Sequence, residues 1–455
     1  MELKDLVVTP LVILFILSVA YLSRERFTNE RTKAIFMPAL LLKLFGAIML
    51  GVIYQFYYSG GDTYNYFEQS SVVFQAFYES PPDGIKLFLS NGEFHPETFK
   101  YAQHIYWYKS PTEYFVIKMA AFFGIFTFNT YSSVAVLFAL FSFTGLWAAY
   151  TTFTKQFPTL YKPIAWALFF LPSVFFWGSG LMKDTVTLGA LGWLFYGFYQ
   201  GLIEKKKPIA SAIAILVSFY FIYQIKIYIL LSFLPPAILW VFLENSNRVK
   251  NRLAALLLKP LILILGIGFA FLAAVNVTEG DIKYDIDRLG ERTKINAEYL
   301  YRTSQLQDGS GYYLGELDGS FQSMLRKAPQ AINVTLFRPY LWEVANPLML
   351  LSALESLVFT IFFLSLFFKP GIFKSIYLII NKPIISFCFL FTVILAFAVG
   401  LNSYNFGTLV RYKIQLLPFY LTGIILIKYY ANQETVRAAS TSRWLKSQWP
   451  KDLSW

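Results

Sequence analysis

The stretch "AIFMPALLLKLFGAIMLGVIYQFYYSGGDTYNYF", residues 34–67, changes character halfway along. Up to Tyr57 nearly every side chain is apolar, with Lys43 the chief exception. Such a run is long enough to cross a bilayer as a helix, which needs about 20 residues. Beyond it stand Gly60, Gly61 and Asp62, with Tyr64 and Tyr66 flanking the acid at alternate positions. Two glycines let the backbone turn sharply and approach a bound group. Asp62 is therefore expected where the run leaves the membrane. It is either a turn former or a reactive carboxylate at the membrane surface.

The rest of the chain repeats that apolar pattern. Its 455 residues are 56% hydrophobic and only 15% charged, with a mean hydropathy of +0.50. Soluble domains carry about 25% charged residues. The expected class is an all-α polytopic membrane protein forming a single transmembrane domain over residues 1–455. The net charge of +12 does not indicate nucleic acid, because Lys and Arg fall in short clusters between apolar runs. Such clusters set topology. The lone cysteine, Cys388, leaves no intrachain disulfide. The first apolar run has no small-residue cleavage site and reads as a retained helix.

Basic residues orient the threading. Arg24, Arg26, Arg31 and Lys33 place the first loop inside and the N-terminus outside. "EKKK", residues 204–207, is the clearest inside marker. About eleven crossings follow, near residues 6–21, 34–57, 131–153, 163–178, 186–203, a hairpin of two with Lys226 at its outer tip, 260–275, 347–368, 383–400 and 414–429. Two large segments fall outside, 58–130 and 276–346, and a basic tail, 430–455, falls inside. "EYFVIKMAAFFGIFTF", residues 113–128, is short and carries Lys118. If it crossed, the first basic cluster would lie outside, so it is expected to be interfacial or re-entrant.

This threading gathers polar groups on the outer face: Asp62, Lys183 with Asp184, Lys226, Arg338 with Glu343, and Arg411 with Lys413. A charge inside hydrocarbon costs about 3 kcal/mol on insertion scales, so such groups pair or serve function. Each also has a structural explanation. Asp184 can cap a helix, Lys226 can snorkel to lipid, and Arg338 can pair with Glu343 in the elbow "FRPYLWE". The spacing of His95 and His104 matches no compact metal site. There is no G-x-S-x-G elbow. A P-loop and G-x-G-x-x-G are absent too, which argues against cytoplasmic nucleotide as energy source. Carboxylates and cations at a bundle mouth suit glycosyl transfer from a lipid-linked donor. An Asp accepts the acceptor's proton, and Lys or Arg hold the phosphate leaving group. Rings in "QHIYWYKSPTEYF", residues 103–115, can stack on sugars or form an interfacial belt.

The order of these features resembles the GT-C superfamily of polytopic glycosyltransferases, which use polyprenyl-phosphate sugars. The resemblance rests on "GGDTYNYF" in the first outer loop and a Pro-containing aromatic stretch beginning "KSPTEYF". It continues with "PSVFFWGSGLMKDT" carrying a second acid, and a late "RYKIQLLPFYL". It implies Asp62 as base or part of a metal-assisted acceptor site, Asp184 as its support, and Arg411 and Lys226 as ligands of the donor phosphate. Lys183, Arg338 and Glu343 complete the candidate substrate-binding set. Lys183 beside Asp184 departs from a metal-binding acid and favours a metal-independent mechanism. The chain also resembles O-antigen-type polysaccharide polymerases, in its many helices, large late outer loop and outer arginines. The expected partners are a polyprenyl-linked sugar donor, a glycan, lipid or protein acceptor, and membrane lipids. The expected place is the bacterial cytoplasmic (inner) membrane. A lipid-linked sugar flippase is the alternative, and it requires charges along the bundle interior. In the spans themselves Lys43 and Glu355 are the main ones.

Overall fold

The computed structural model describes residues 2–246, 286–306 and 310–448. Helices dominate them. In chain order they are α1 (Asp5–Phe27), α2 (Lys33–Phe56), α3 (Asp62–Glu79), α4 (Pro81–Leu89), α5 (Phe99–Ala102), α6 (Pro111–Phe126) and α7 (Tyr131–Gln156). Then follow α8 (Tyr161–Phe169), α9 (Pro172–Trp177), α10 (Lys183–Phe198), α11 (Pro208–Ser246) and α12 (Ile286–Leu306). The remainder are α13 (Phe321–Arg326), α14 (Ala328–Phe337), α15 (Pro347–Leu366), α16 (Ile372–Asn381), α17 (Pro383–Ser403), α18 (Phe406–Tyr412) and α19 (Leu417–Gln448).

Among the described residues, seven helices are long and apolar enough to cross a membrane, or eight if the pair bent by 59° at Leu416 is one span. The expected count of eleven is not reproduced by that measure. Residues 260–275 lie outside the described residues. Residues 163–178 form two short helices, α8 and α9, divided before Pro172. Proline lacks the N–H that a continuing helix needs and disfavours helical geometry in the residue before it.

The 39-residue α11 holds the expected hairpin. Straight, it would span about 58 Å. Yet Ser211, near its start, packs against Gly201, and Asn245, near its end, donates to the Leu202 carbonyl at 3.1 Å. The chain turns back at Lys226, whose φ of −147° and ψ of 76° are not helical.

Glycines set the tightest packing. Gly145 on α7 meets Gly189 and Gly192 on α10 so closely that no Cβ fits. Small residues that let backbones touch are a common basis of helix association in lipid. α7 and α10 run parallel, so both begin at the same end of the bundle. The opposite end collects basic residues. There Lys155 pairs with Glu204, Lys374 with Glu434, and Phe157 packs on Tyr429 and Tyr430.

α6 does not traverse the bundle. Glu113 near its start pairs with Lys183 at the start of α10. Its other end leads into the start of α7. Phe122, Ile125 and Phe126 are exposed along it, and Phe122 meets Phe88 of α4. An apolar outer face on short helices at one end suits the bilayer interface.

The described part of the late segment contains the helices α12, α13 and α14. α14 packs into α17, with the Thr335 hydroxyl donating to the Ala396 carbonyl at 2.8 Å. Ala331 lies against Gly400 where no side chain fits. Lys226, Asp184, Lys43, Glu355 and Lys413 are all buried within the bundle.

Candidate functional site

The Ser59–Gly61 turn places Asp62. All three residues have positive φ, at 56°, 128° and 123°. Gly61 also faces the Tyr54 ring, where an added Cβ would approach to 3.0 Å. The turn reverses the chain from α2 into α3, and Asp62 opens α3.

Arg411 reaches Asp62 from the other end of the sequence. It stands on α18, whose start is capped by the Asn405 side chain accepting from Gly407 and Thr408. Arg411 Nη1 donates to Asp62 Oδ2 at 3.0 Å and to the Tyr54 hydroxyl at 3.1 Å. Its Nε is buried without a partner. Both residues line a cavity of ≈ 920 Å³, together with Tyr54, Trp177, Phe406 and Asn346. That volume is in the range of sites for small molecules and cofactors.

The other expected site residues are not in this lining. Asp184 does not cap α10, because the N-cap position is Met182. Asp184 is instead buried and accepts from Lys226 Nζ and, at 3.3 Å, from Gln415 Nε2. Gln415 also donates to Thr187 at 3.1 Å. The Lys226 ammonium lies 3.7 Å from the centre of the Tyr412 ring, a cation–π contact. Lys226 therefore does not snorkel to lipid. Tyr412 is the neighbour of Arg411 in sequence, so this buried cluster backs the cavity wall.

Lys183 pairs with Glu113 and donates to Thr112 at 3.1 Å. Burial works to raise the Glu113 carboxyl. The Lys183 charge and hydrogen bonds from Lys183 and Thr112 outweigh it, holding Glu113 below the usual carboxylate range. Arg338 makes a two-pronged pair with Glu343 and packs near the Phe406 ring at 5.1 Å. Its carbonyl accepts from Lys413 at 3.3 Å and Ser356 at 3.1 Å. This is the elbow reading of "FRPYLWE". Lys43 donates to the Gly178 carbonyl at the end of α9, where a helix dipole favours a cation.

Asp62 is paired with Arg411 and Asp184 with Lys226. Among the described residues no group of three or more His, Cys, Asp or Glu side chains is placed to hold a metal.

Sequence reasoning missed Tyr54, Gln415 and Glu113. Tyr54 looks like one more aromatic in a span, and Gln415 and Glu113 stand inside "RYKIQLLPFYL" and "KSPTEYF" with no polar pattern to mark them. No local signal joins residues 349 positions apart, as Asp62 and Arg411 are. No family model, curated protein or solved structure matches the chain.

Proposed function

We propose that this protein is a membrane glycosyltransferase. It transfers a sugar or oligosaccharide from a polyprenyl-phosphate-linked donor on the outer face of the bacterial cytoplasmic membrane, in surface polysaccharide or glycoconjugate assembly. The observation that carries the reading is the Asp62–Arg411 pair lining one cavity at the end away from the basic loops.

The chemistry follows from the pair's exchangeability. Asp62 is 42% exposed and Arg411 18%. A donor phosphate competes with Asp62 for the guanidinium, which binds phosphate through parallel N–H donors. The buried Arg411 Nε has no hydrogen-bond partner among the described residues. Asp62, released from Arg411, accepts the proton of the acceptor hydroxyl. The acceptor oxygen bonds to the anomeric carbon as the bond from that carbon to the phosphate oxygen breaks. Polyprenyl phosphate (or pyrophosphate) leaves with the electron pair, and Arg411 offsets its charge. A polysaccharide polymerase performs the same step with a larger acceptor.

A flippase is the alternative, and the buried charges bear on it. Lys226 and Asp184 neutralise each other, and Lys413 and Glu355 are each hydrogen-bonded in the bundle. Such partnered groups hold helices together without forming a polar path.

The test is glycan profiling of a deletion strain complemented with wild type, Asp62→Asn or Arg411→Ala. The expected result is loss of a surface glycan on deletion, and no rescue by either variant at normal protein level. Intact glycans after deletion, or full rescue by both variants, would refute the reading.

A further inference from the structure

A second cavity of ≈ 470 Å³ lies beside the first. α12 and the segment 313–317 form its walls, and Tyr404 contributes from the end of α17. The wall between the two cavities is a short antiparallel bridge, Gly311 with Asn405. Tyr312 N donates to the Tyr404 carbonyl at 3.2 Å, and Phe406 N to the Ser310 carbonyl at 2.8 Å. Ser310, Asn405 and Phe406 line the first cavity, whereas Tyr313 and Tyr404 line the second.

Three features of the second cavity point to a ligand. First, Tyr301 and Tyr313 set two rings 5.2 Å apart and tilted by 39° on its wall, with Tyr313 54% exposed. Exposed amphipathic rings give broad contact area at low entropic cost. Second, Tyr404 is 2% exposed, and its hydroxyl is buried with no hydrogen-bond partner. A buried orphan hydroxyl forfeits about 1–3 kcal/mol unless something binds it. Third, Tyr404 has a φ of 43°, unusual for a bulky residue. Stacking on Tyr312 at 5.6 Å holds it there. Strained positions cluster at ligand sites.

The charges select the ligand class. Lys294 and Arg302 share its lining with Glu298 and Glu316, so both signs of charge are present. A strongly charged ligand gains nothing from such a balance. A chain of hydroxyl groups with apolar C–H faces does, because it uses donors, acceptors and rings together. We infer that this second cavity is an acceptor subsite for an oligosaccharide without strong net charge, which enters the Asp62–Arg411 cavity across the Gly311–Asn405 bridge.

The inference rests on the glycosyltransferase reading and deepens it toward acceptors longer than one sugar. The probe is a set of short oligosaccharides cut from the cell's own surface polysaccharide. Their binding to the full-length protein in nanodiscs is measured by saturation-transfer NMR and calorimetry. Tyr301→Ala with Tyr313→Ala is expected to weaken binding at least about fivefold, given what aromatic contacts are worth. Tyr404→Phe removes only a hydroxyl that has no protein partner, so it retains the fold, and it is expected to weaken binding as well. Tyr78→Ala, at a ring 84% exposed near the end of α3, serves as the control and leaves binding unchanged. Equal binding by all variants and wild type overturns the subsite. Absent binding by wild type, in cells whose polysaccharide does depend on the gene, overturns the subsite alone. An unchanged polysaccharide on gene deletion overturns the transferase reading and this inference with it.

Discussion

Two ion pairs stand close together in this bundle and differ in what surrounds them. Asp62–Arg411 joins side chains 42% and 18% exposed on the wall of a cavity. Asp184–Lys226 joins side chains 2% and 6% exposed, closed in by Gln415 and the Tyr412 ring. The first is open to a ligand on its Asp62 side, where solvent screens the charge. The second is not, and separating it strands a charge in a low-dielectric interior. On the proposed reading the outer pair serves turnover and the inner pair holds helices together, although both read alike as an acid and a base near helix ends.

The largest expected effect tests the inner pair. Lys226→Met alone should destabilise by about 3–5 kcal/mol, because Asp184 is left buried and unpaired. The measurement is thermal unfolding of the purified protein in detergent. The double variant Asp184→Leu/Lys226→Met should recover most of the loss. A single variant as stable as wild type would break the comparison. Next comes Asp62→Asn, expected to lower transfer about 10²–10⁴-fold, the usual worth of a general base. Its melting temperature should stay close to wild type, because the pair it disrupts is partly exposed.

Tyr54→Phe sharpens the outer pair further. It deletes one hydrogen bond to Arg411, worth about 1 kcal/mol, and should lower glycan output about fivefold. An unchanged output would show that Arg411 needs no help in holding its pose.

The smallest effect concerns Glu113–Lys183, whose side chains at 21% and 18% exposure lie between the two extremes. The folded Glu113 carboxyl sits below its unfolded value. Its contribution is therefore complete above about pH 5 and fades as pH falls through the lowered value. Wild type and Glu113→Gln should differ in melting temperature near neutral pH and converge in acid. A gap that persists in acid would show that Glu113 acts through something other than its charge.

Much of the fold was legible in the sequence. Apolar run length placed α1, α2, α7, α10, α15 and α17, because the hydrocarbon core demands about 20 apolar residues whatever packs alongside. The reversal at Lys226 was legible from a cation in the middle of a long apolar stretch. The break between α8 and α9 was present as Pro172, but hydropathy averages over a break. The burial of α14 against α17 was not legible, since "APQAINVTLF" has no length to announce a membrane helix.

The site divides in the same way. Asp62 and Arg411 were legible as charges to be found at one end of the bundle, and the turn at Gly60 and Gly61 as a device to position the acid. Arg338 and Glu343 were legible as a pair because five residues separate them. Which acid faces a cavity and which is sealed was not, because Asp62 and Asp184 look equivalent in sequence. The sequence by itself determined an all-helical chain with several helices long and apolar enough to cross a membrane, since hydropathy acts locally along the chain. Only the tertiary structure decided that Arg411 meets Asp62, that Lys226 is spent on Asp184, and that Tyr404 leaves a hydroxyl unpaired. Those outcomes depend on which helices pack together, and contacts across hundreds of residues leave no local pattern.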